Sequence, residues 1–154
     1  PMTSRAVHAC RREVWLAARL LPVLASHRSL DALLRLATPK RPSPRYAGIE
    51  AREIVDIVKR AARRPWVMRD RRCLREGLLA FRFLRLAGFH PELHFSIAPS
   101  SLSESRPRAH CRVELDGETI LNPCPEPMAD LFSYDGGTIS RDAGHLRASD
   151  ITHA

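Results

Sequence analysis

The sequence predicts an α+β fold, with helices packed on a small antiparallel sheet and an all-helical N-terminal region. Three observations predict it. The first 65 residues carry apolar residues at helical spacing broken by prolines, with no strand-like alternation. A long apolar helix is written between residues 70 and 87. Short alternating segments then flank Asp116-Gly117, a strong hairpin signal.

Taken in order, residues 4–27 place Val7, Cys10, Val14, Leu16, Leu20 and Leu21 at roughly helical spacing, with Ser4 as N-cap. Pro22 is expected to end or kink that helix. Ser29 caps a shorter helix over 30–36, which Thr38-Pro39 stops. Residues 39–47 (PKRPSPRYA) read as a linker or extended surface strap. A third helix fits 48–63, with Arg60, Arg63 and Arg64 at its C-terminal end, where cations complement the helix dipole, and Pro65 closing it.

Asp70 is the expected N-cap of the fourth helix, which runs to about Ala87 with Gly88 as its stop. Leu74, Leu78, Phe81 and Leu84 form one apolar stripe; Leu79, Phe83 and Leu86 form a second. Strands are expected over 91–99, 109–115 and 118–122, with a mobile polar loop over 100–108. After Pro123 the pattern fades, and the tail is expected to be poorly ordered. The chain thus divides into a helical N-terminal region, 1–65, and a core with its tail, 66–154.

The 154 residues form one domain, large enough for a real core. No apolar run is long enough for a membrane span and no signal-peptide core stands at the start, so a cytoplasmic location is the expectation. Pro1 ahead of Met2 reads as a tag-cleavage scar. The four cysteines lack the spacing of a disulfide scaffold and read as reduced thiols. The net charge of +8 is carried almost wholly by arginine. Such a surface could meet an acidic peptide, an anionic protein or nucleic acid, or reflect only an arginine-rich coding bias.

Chemistry concentrates between Asp70 and Asn122. As third residue of a helix capped by Asp70, Cys73 would sit among unpaired backbone N–H groups and the dipole's positive end, both of which favour a negative sulfur. Arg71, Arg72 and Arg75 add positive charge, and a backbone N–H there could serve as oxyanion donor. His110 lies in a strand and needs a third group to orient it. If the hairpin has a three-residue loop, His110 faces Asn122; a two-residue Asp-Gly loop turns Asn122 away. Singly, a free cysteine is more often a small core hydrophobe and a strand histidine a satisfied structural residue. His8, His27, His90, His94, His145 and His153 are read as structural. The conjunction of Cys73, His110 and Asn122 raises a thiol site above those readings.

The block C-L-R-E-G-L-L-A-F-R-F-L-R-L-A-G-F-H-P-E-L-H-F-S-I, followed by R-A-H-C-R-V-E-L-D-G, resembles the transglutaminase-like core of the leader peptidases of lasso-peptide biosynthesis. The likeness covers about residues 51–123. It implies a papain-like cysteine protease, with Cys73 matching the nucleophile, His110 the base and Asn122 the position usually held by Asp. It implies as partners a precursor peptide, a separate leader-recognition protein and an ATP-dependent macrolactam cyclase, with no cofactor, metal or membrane, and argues against nucleic acid. Two departures stand out. Asparagine can orient an imidazole but cannot stabilise imidazolium by charge, and Cys111-Arg112 replaces the family's Ala-Trp.

Other classes stay open. The same constellation supports acyl transfer to an amine. A metal site on Cys73, His110, Cys111 and Cys124 lacks ligand spacing. A catalytically weak or inactive transglutaminase-like module gripping an acidic peptide or other anionic partner is the remaining alternative.

Overall fold

In the computed structural model, which describes residues 2–63 and 71–141, helix α1 runs unbroken over Met2–Ser26. Pro22 lies inside it rather than at its end. A proline removes one helical hydrogen bond, but the buried stripe of Cys10, Val14, Ala18 and Leu21 holds the helix through that point. Ser4 is likewise within the helix, not its cap. Helix α2, Leu30–Ala37, begins as expected: the Ser29 hydroxyl accepts from the Ala32 N–H at 3.3 Å.

The proline-rich strap is pinned rather than loose. A 3-10 turn at Pro44–Tyr46 buries Tyr46, whose hydroxyl donates to Glu13 of α1 and whose ring meets Phe83 edge-on at 5.9 Å. The Ser43 N–H donates to the Leu86 carbonyl at 2.7 Å. Helix α3, Ala51–Arg63, starts after Gly48, which takes φ +82°.

Helix α4, Arg72–Leu86, is buried on both apolar stripes through Leu78, Leu79, Phe81, Phe83 and Leu84. Its end follows the glycine-stop geometry: Gly88, at φ +95°, donates to Arg85 O and Phe89 donates to Leu84 O. One contiguous core joins α1, α2 and α3 to α4 and the sheet, so residues on either side of position 65 share the same packing.

The sheet is antiparallel throughout, in the order β3-β2-β1-β4-β5, with β1 Glu92–Ile97, β2 Ala109–Leu115, β3 Glu118–Leu121, β4 Ala129–Tyr134 and β5 Ile139–Ser140. Strands β4 and β5 are additions to the three read from the sequence. A register shift at Phe95/Ser96 interrupts the β1–β4 ladder, and β4 shows no clean period-two burial, which hid it. The 99–108 loop is also tied down. The buried Ser101 hydroxyl accepts from the Arg108 N–H at 2.8 Å, and the Arg108 guanidinium grips Glu104 and Glu126. The tail expected to be poorly ordered lies, from residue 142, outside the described residues.

Sheet faces follow from the pairing. Cys111 lies opposite Phe95 and Val113 opposite Leu93, all buried beneath α4. Gly77 of α4 makes this approach possible: a Cβ there would sit 2.9 Å from Cys111 Sγ. His110 lies opposite Ser96 and shares the other face with Arg112, whose partner across the ladder is His94.

Candidate active site

Helix α4 starts at Arg72 with Arg71 as N-cap, in the left-handed conformation (φ 53°, ψ 38°) and with no side-chain cap bond. Asp70, the expected cap, lies outside the described residues. With Arg71 in that role Cys73 is the second helical residue, not the third. It keeps the environment that matters: the first-turn N–H groups have no partner within the helix. Arg72 contributes less bare charge than expected, because its Nε pairs with the buried Glu76 carboxylate at 2.9 Å.

The hairpin register differs from the three-residue loop that would face His110 to Asn122. Leu115 pairs with Glu118 across a two-residue loop in which Asp116 (φ 53°) and Gly117 (φ 80°) are both left-handed. A register shift between Val113 and Glu114 then sets Val113 opposite Leu121. Asn122 follows the end of β3 at φ 54°, a conformation its short amide side chain tolerates.

His110 and Asn122 nevertheless meet, through different atoms. His110 Nε2 donates to the main-chain carbonyl of Asn122 at 2.8 Å. The Asn122 amide donates to the carbonyl of Cys73 at 3.1 Å. Asn122 therefore touches both elements, β2 by its backbone and the start of α4 by its side chain. A carbonyl only accepts, so Nε2 carries a proton, and it is Nδ1 that holds the lone pair whenever the ring is neutral. That nitrogen makes no hydrogen bond among the described residues, and none joins the Cys73 thiol to the ring.

The other thiols separate by environment. Burial, and next the neighbouring Cys73, push the Cys111 thiol well up, making it a core residue beneath α4. Burial and then Glu13 push Cys10 up to about 11. Cys124 is exposed. Cys111 and His110 take opposite sides of β2, so the four-ligand metal arrangement does not converge, and no cluster of metal-binding side chains occurs among the described residues.

Sequence reasoning missed a polar network beside His110. Arg112 reaches across β1 to Asp130 of β4 with two bonds, 2.6 and 2.9 Å. The buried Ser96 hydroxyl donates to Asp130 at 2.6 Å, and Arg112 also holds Glu114 at 2.8 Å. His94 lies 3.1 Å from Glu92 and 3.3 Å from Glu114, so it belongs to a charged network. The Arg112 guanidinium, followed by the Ser96 bond, lowers the Asp130 carboxyl to about 2. Arg112, two residues beyond His110 in the same strand, was the available signal, since such residues share a face.

A family model described as the transglutaminase-like superfamily matches residues 5–132. No curated protein and no solved structure matches significantly.

Proposed function

The chain belongs to the transglutaminase-like superfamily, and from that premise we propose that it is a cysteine peptidase that removes the leader from a ribosomally synthesised precursor peptide during lasso-peptide maturation. The superfamily match supports a thiol-hydrolase-like module; the motif around Cys73 and His110 supports the finer reading.

The observation that carries it is the Asn122 bridge between Cys73 and His110. With Nε2–H committed to the Asn122 carbonyl, Nδ1 of His110 takes the thiol proton. The Cys73 sulfur attacks the scissile carbonyl, and first-turn N–H groups of α4 stabilise the oxyanion. His110 returns the proton to the leaving amine as the C–N bond breaks, leaving a thioester. A water molecule, deprotonated by His110, then cleaves the thioester and frees Cys73. The partners of this reading are the precursor peptide and a separate leader-recognition protein, with the macrolactam cyclase acting on the product.

The alternative, a catalytically weak or inactive module that binds an anionic partner, is favoured by one observation: the thiol and the ring share no hydrogen bond among the described residues. Iodoacetamide labelling of wild type and His110→Ala across pH 5 to 9 separates the two. The peptidase reading expects Cys73 to label rapidly below pH 8 and to slow when His110 is lost. Labelling of Cys73 no faster than exposed Cys124, or unchanged by the loss of His110, overturns it. Cleavage of a synthetic precursor in the presence of the recognition protein, abolished by Cys73→Ala, tests the substrate assignment.

A further inference from the structure

Cys111 is a buried thiol that the peptidase chemistry leaves unused, and it sits beneath the helix that carries Cys73. It lies in β2 on the α4 side, opposite Phe95 of β1, and is 2% exposed. Its sulfur abuts Gly77, where an added Cβ would lie only 2.9 Å away. Gly77 is one helical turn beyond Cys73, and residues four apart on a helix share a face with their Cβ positions about 6 Å apart. Cys111 Sγ therefore lies within about 9 Å of the Cys73 Cβ. Residue 77, being glycine, puts no side chain into the space between them.

Independent observations agree on the proximity. Half-buried Cys73 packs against the same core cluster that contains Cys111. Its charge reaches the Cys111 thiol and is, after burial, the next cause that raises it. Cys10, the other buried thiol, faces Glu13 and Glu53 instead. A disulfide holds its two Cβ atoms about 3.5–4.5 Å apart, so the first turn of α4 must close on β2 by a few ångströms. That turn begins without a side-chain cap, at the left-handed Arg71, and the Asn122 amide ties the Cys73 carbonyl to the end of β3.

The geometry points to Cys111 as a resolving thiol that forms a reversible disulfide with Cys73 after a peroxide oxidises the nucleophile. This rests on the peptidase reading in one respect, that Cys73 is the reactive thiol. In the first step His110 takes the Cys73 proton and the sulfur attacks one peroxide oxygen; the S–O bond forms as the O–O bond breaks. The leaving hydroxide collects the proton and departs as water. Cys73 is thereby oxidised by two electrons to the sulfenic acid, and the peroxide is reduced. In the second step the Cys111 sulfur attacks the Cys73 sulfur. The S–S bond forms, the S–O bond breaks, and the hydroxide leaves as water with the Cys111 proton. A sulfenic acid is uncharged, so the Cys73 charge that opposed ionisation of Cys111 is gone by then. Burial hides Cys111 from the peroxide itself. The disulfide stops peptide hydrolysis and shields Cys73 from irreversible oxidation to the sulfinic acid until a thiol reductant restores it.

The test treats the reduced full chain with a small excess of hydrogen peroxide near neutral pH. Free thiols are then blocked with N-ethylmaleimide in denaturant, and the products are read by non-reducing peptide mass spectrometry. The expected product is a linked pair of Cys73 and Cys111 that disappears on reduction with dithiothreitol and forms equally in Cys124→Ser. In Cys111→Ala, dimedone should trap Cys73 as the sulfenic acid, and the sulfinic acid should accumulate roughly fivefold or more faster than in wild type. Circular dichroism confirms that both variants fold, and the linkage in wild type is read without either. Cys73 joined to Cys124 or to a second chain, oxidised Cys73 beside a free Cys111, or equal sulfinic acid in wild type and Cys111→Ala would each overturn the proposal. Iodoacetamide labelling of the reduced protein separates the two possible failures. Rapid, His110-dependent labelling of Cys73 without the linked pair sinks this proposal and leaves the peptidase reading standing, whereas slow labelling removes both.

Discussion

His110 Nε2 is bonded to the main-chain carbonyl of Asn122 at 2.8 Å, not to that residue's side chain. An acceptor supplied by the backbone survives substitution, so side chain and orienting role can be separated. Asn122→Gly keeps the carbonyl and relaxes the φ 54° backbone, losing only the amide bond to Cys73. It should cost about 1 kcal/mol, while Asn122→Ala, strained in the left-handed region as well, should cost roughly 2. In both, Cys73 labelling should stay within a few-fold of wild type, far above His110→Ala. Urea melts and thiol labelling measure the two effects. Collapse of labelling in Asn122→Gly would assign the orienting role to the amide.

The environments of the thiols set an order of reactivity. Cys10 is raised to about 11 and Cys111 higher still, both by burial, so at pH 8 no more than about one Cys10 in a thousand is thiolate. Iodoacetamide at pH 8 should modify Cys124 and Cys73 in the folded protein and leave Cys10 and Cys111 untouched. All four should react in urea. Native labelling of Cys10 or Cys111 on the timescale of Cys124 would contradict the core assignment.

What could be read without coordinates follows a physical division. Periodicity located α2, α3, α4 and the β2–β3 hairpin because burial of one face imposes it. The pairing of His110 with Asn122 was harder, since it depends on a bulge at Val113/Glu114 that no local pattern announces. The two residues meet instead through the main-chain carbonyl of Asn122, which lies at φ 54° just past β3. Arg112–Asp130 was illegible for a related reason: it spans three strands, and β4 carries no alternation of its own. Pro22 misled because its local cost is smaller than the burial holding α1 together.

Asp130 supplies an acid-stability prediction. Its carboxyl is lowered to about 2, first by Arg112 and also by Ser96. A depressed carboxyl adds stability that is fully present above the unfolded value, near 4, and is lost as pH falls through about 2. Asp130→Asn should therefore be less stable than wild type by about 1–2 kcal/mol at pH 6, after allowance for solvent screening of a partly exposed pair. The difference should shrink between pH 4 and pH 2. Urea unfolding across that range reads it directly, and a gap that persists unchanged at pH 2 would mean the loss is one of packing.

Gly77 and Cys111 provide the sharpest packing test. A methyl group on Gly77 would lie 2.9 Å from Cys111 Sγ and 3.4 Å from Leu93 Cδ2. Alanine normally favours a helix over glycine by about 1 kcal/mol, so an unobstructed Gly77→Ala would stabilise α4. Overpacking against the sheet outweighs that gain, and the single variant should lose roughly 1–3 kcal/mol. Cys111→Ala alone removes buried sulfur and should cost about 1 kcal/mol. Combined, the new methyl occupies space vacated by the sulfur, and the double variant should be more stable than the sum of the singles by at least about 1 kcal/mol. Additive losses in the urea melts would show that Leu93 of β1, rather than Cys111 of β2, sets the limit on how closely α4 approaches the sheet.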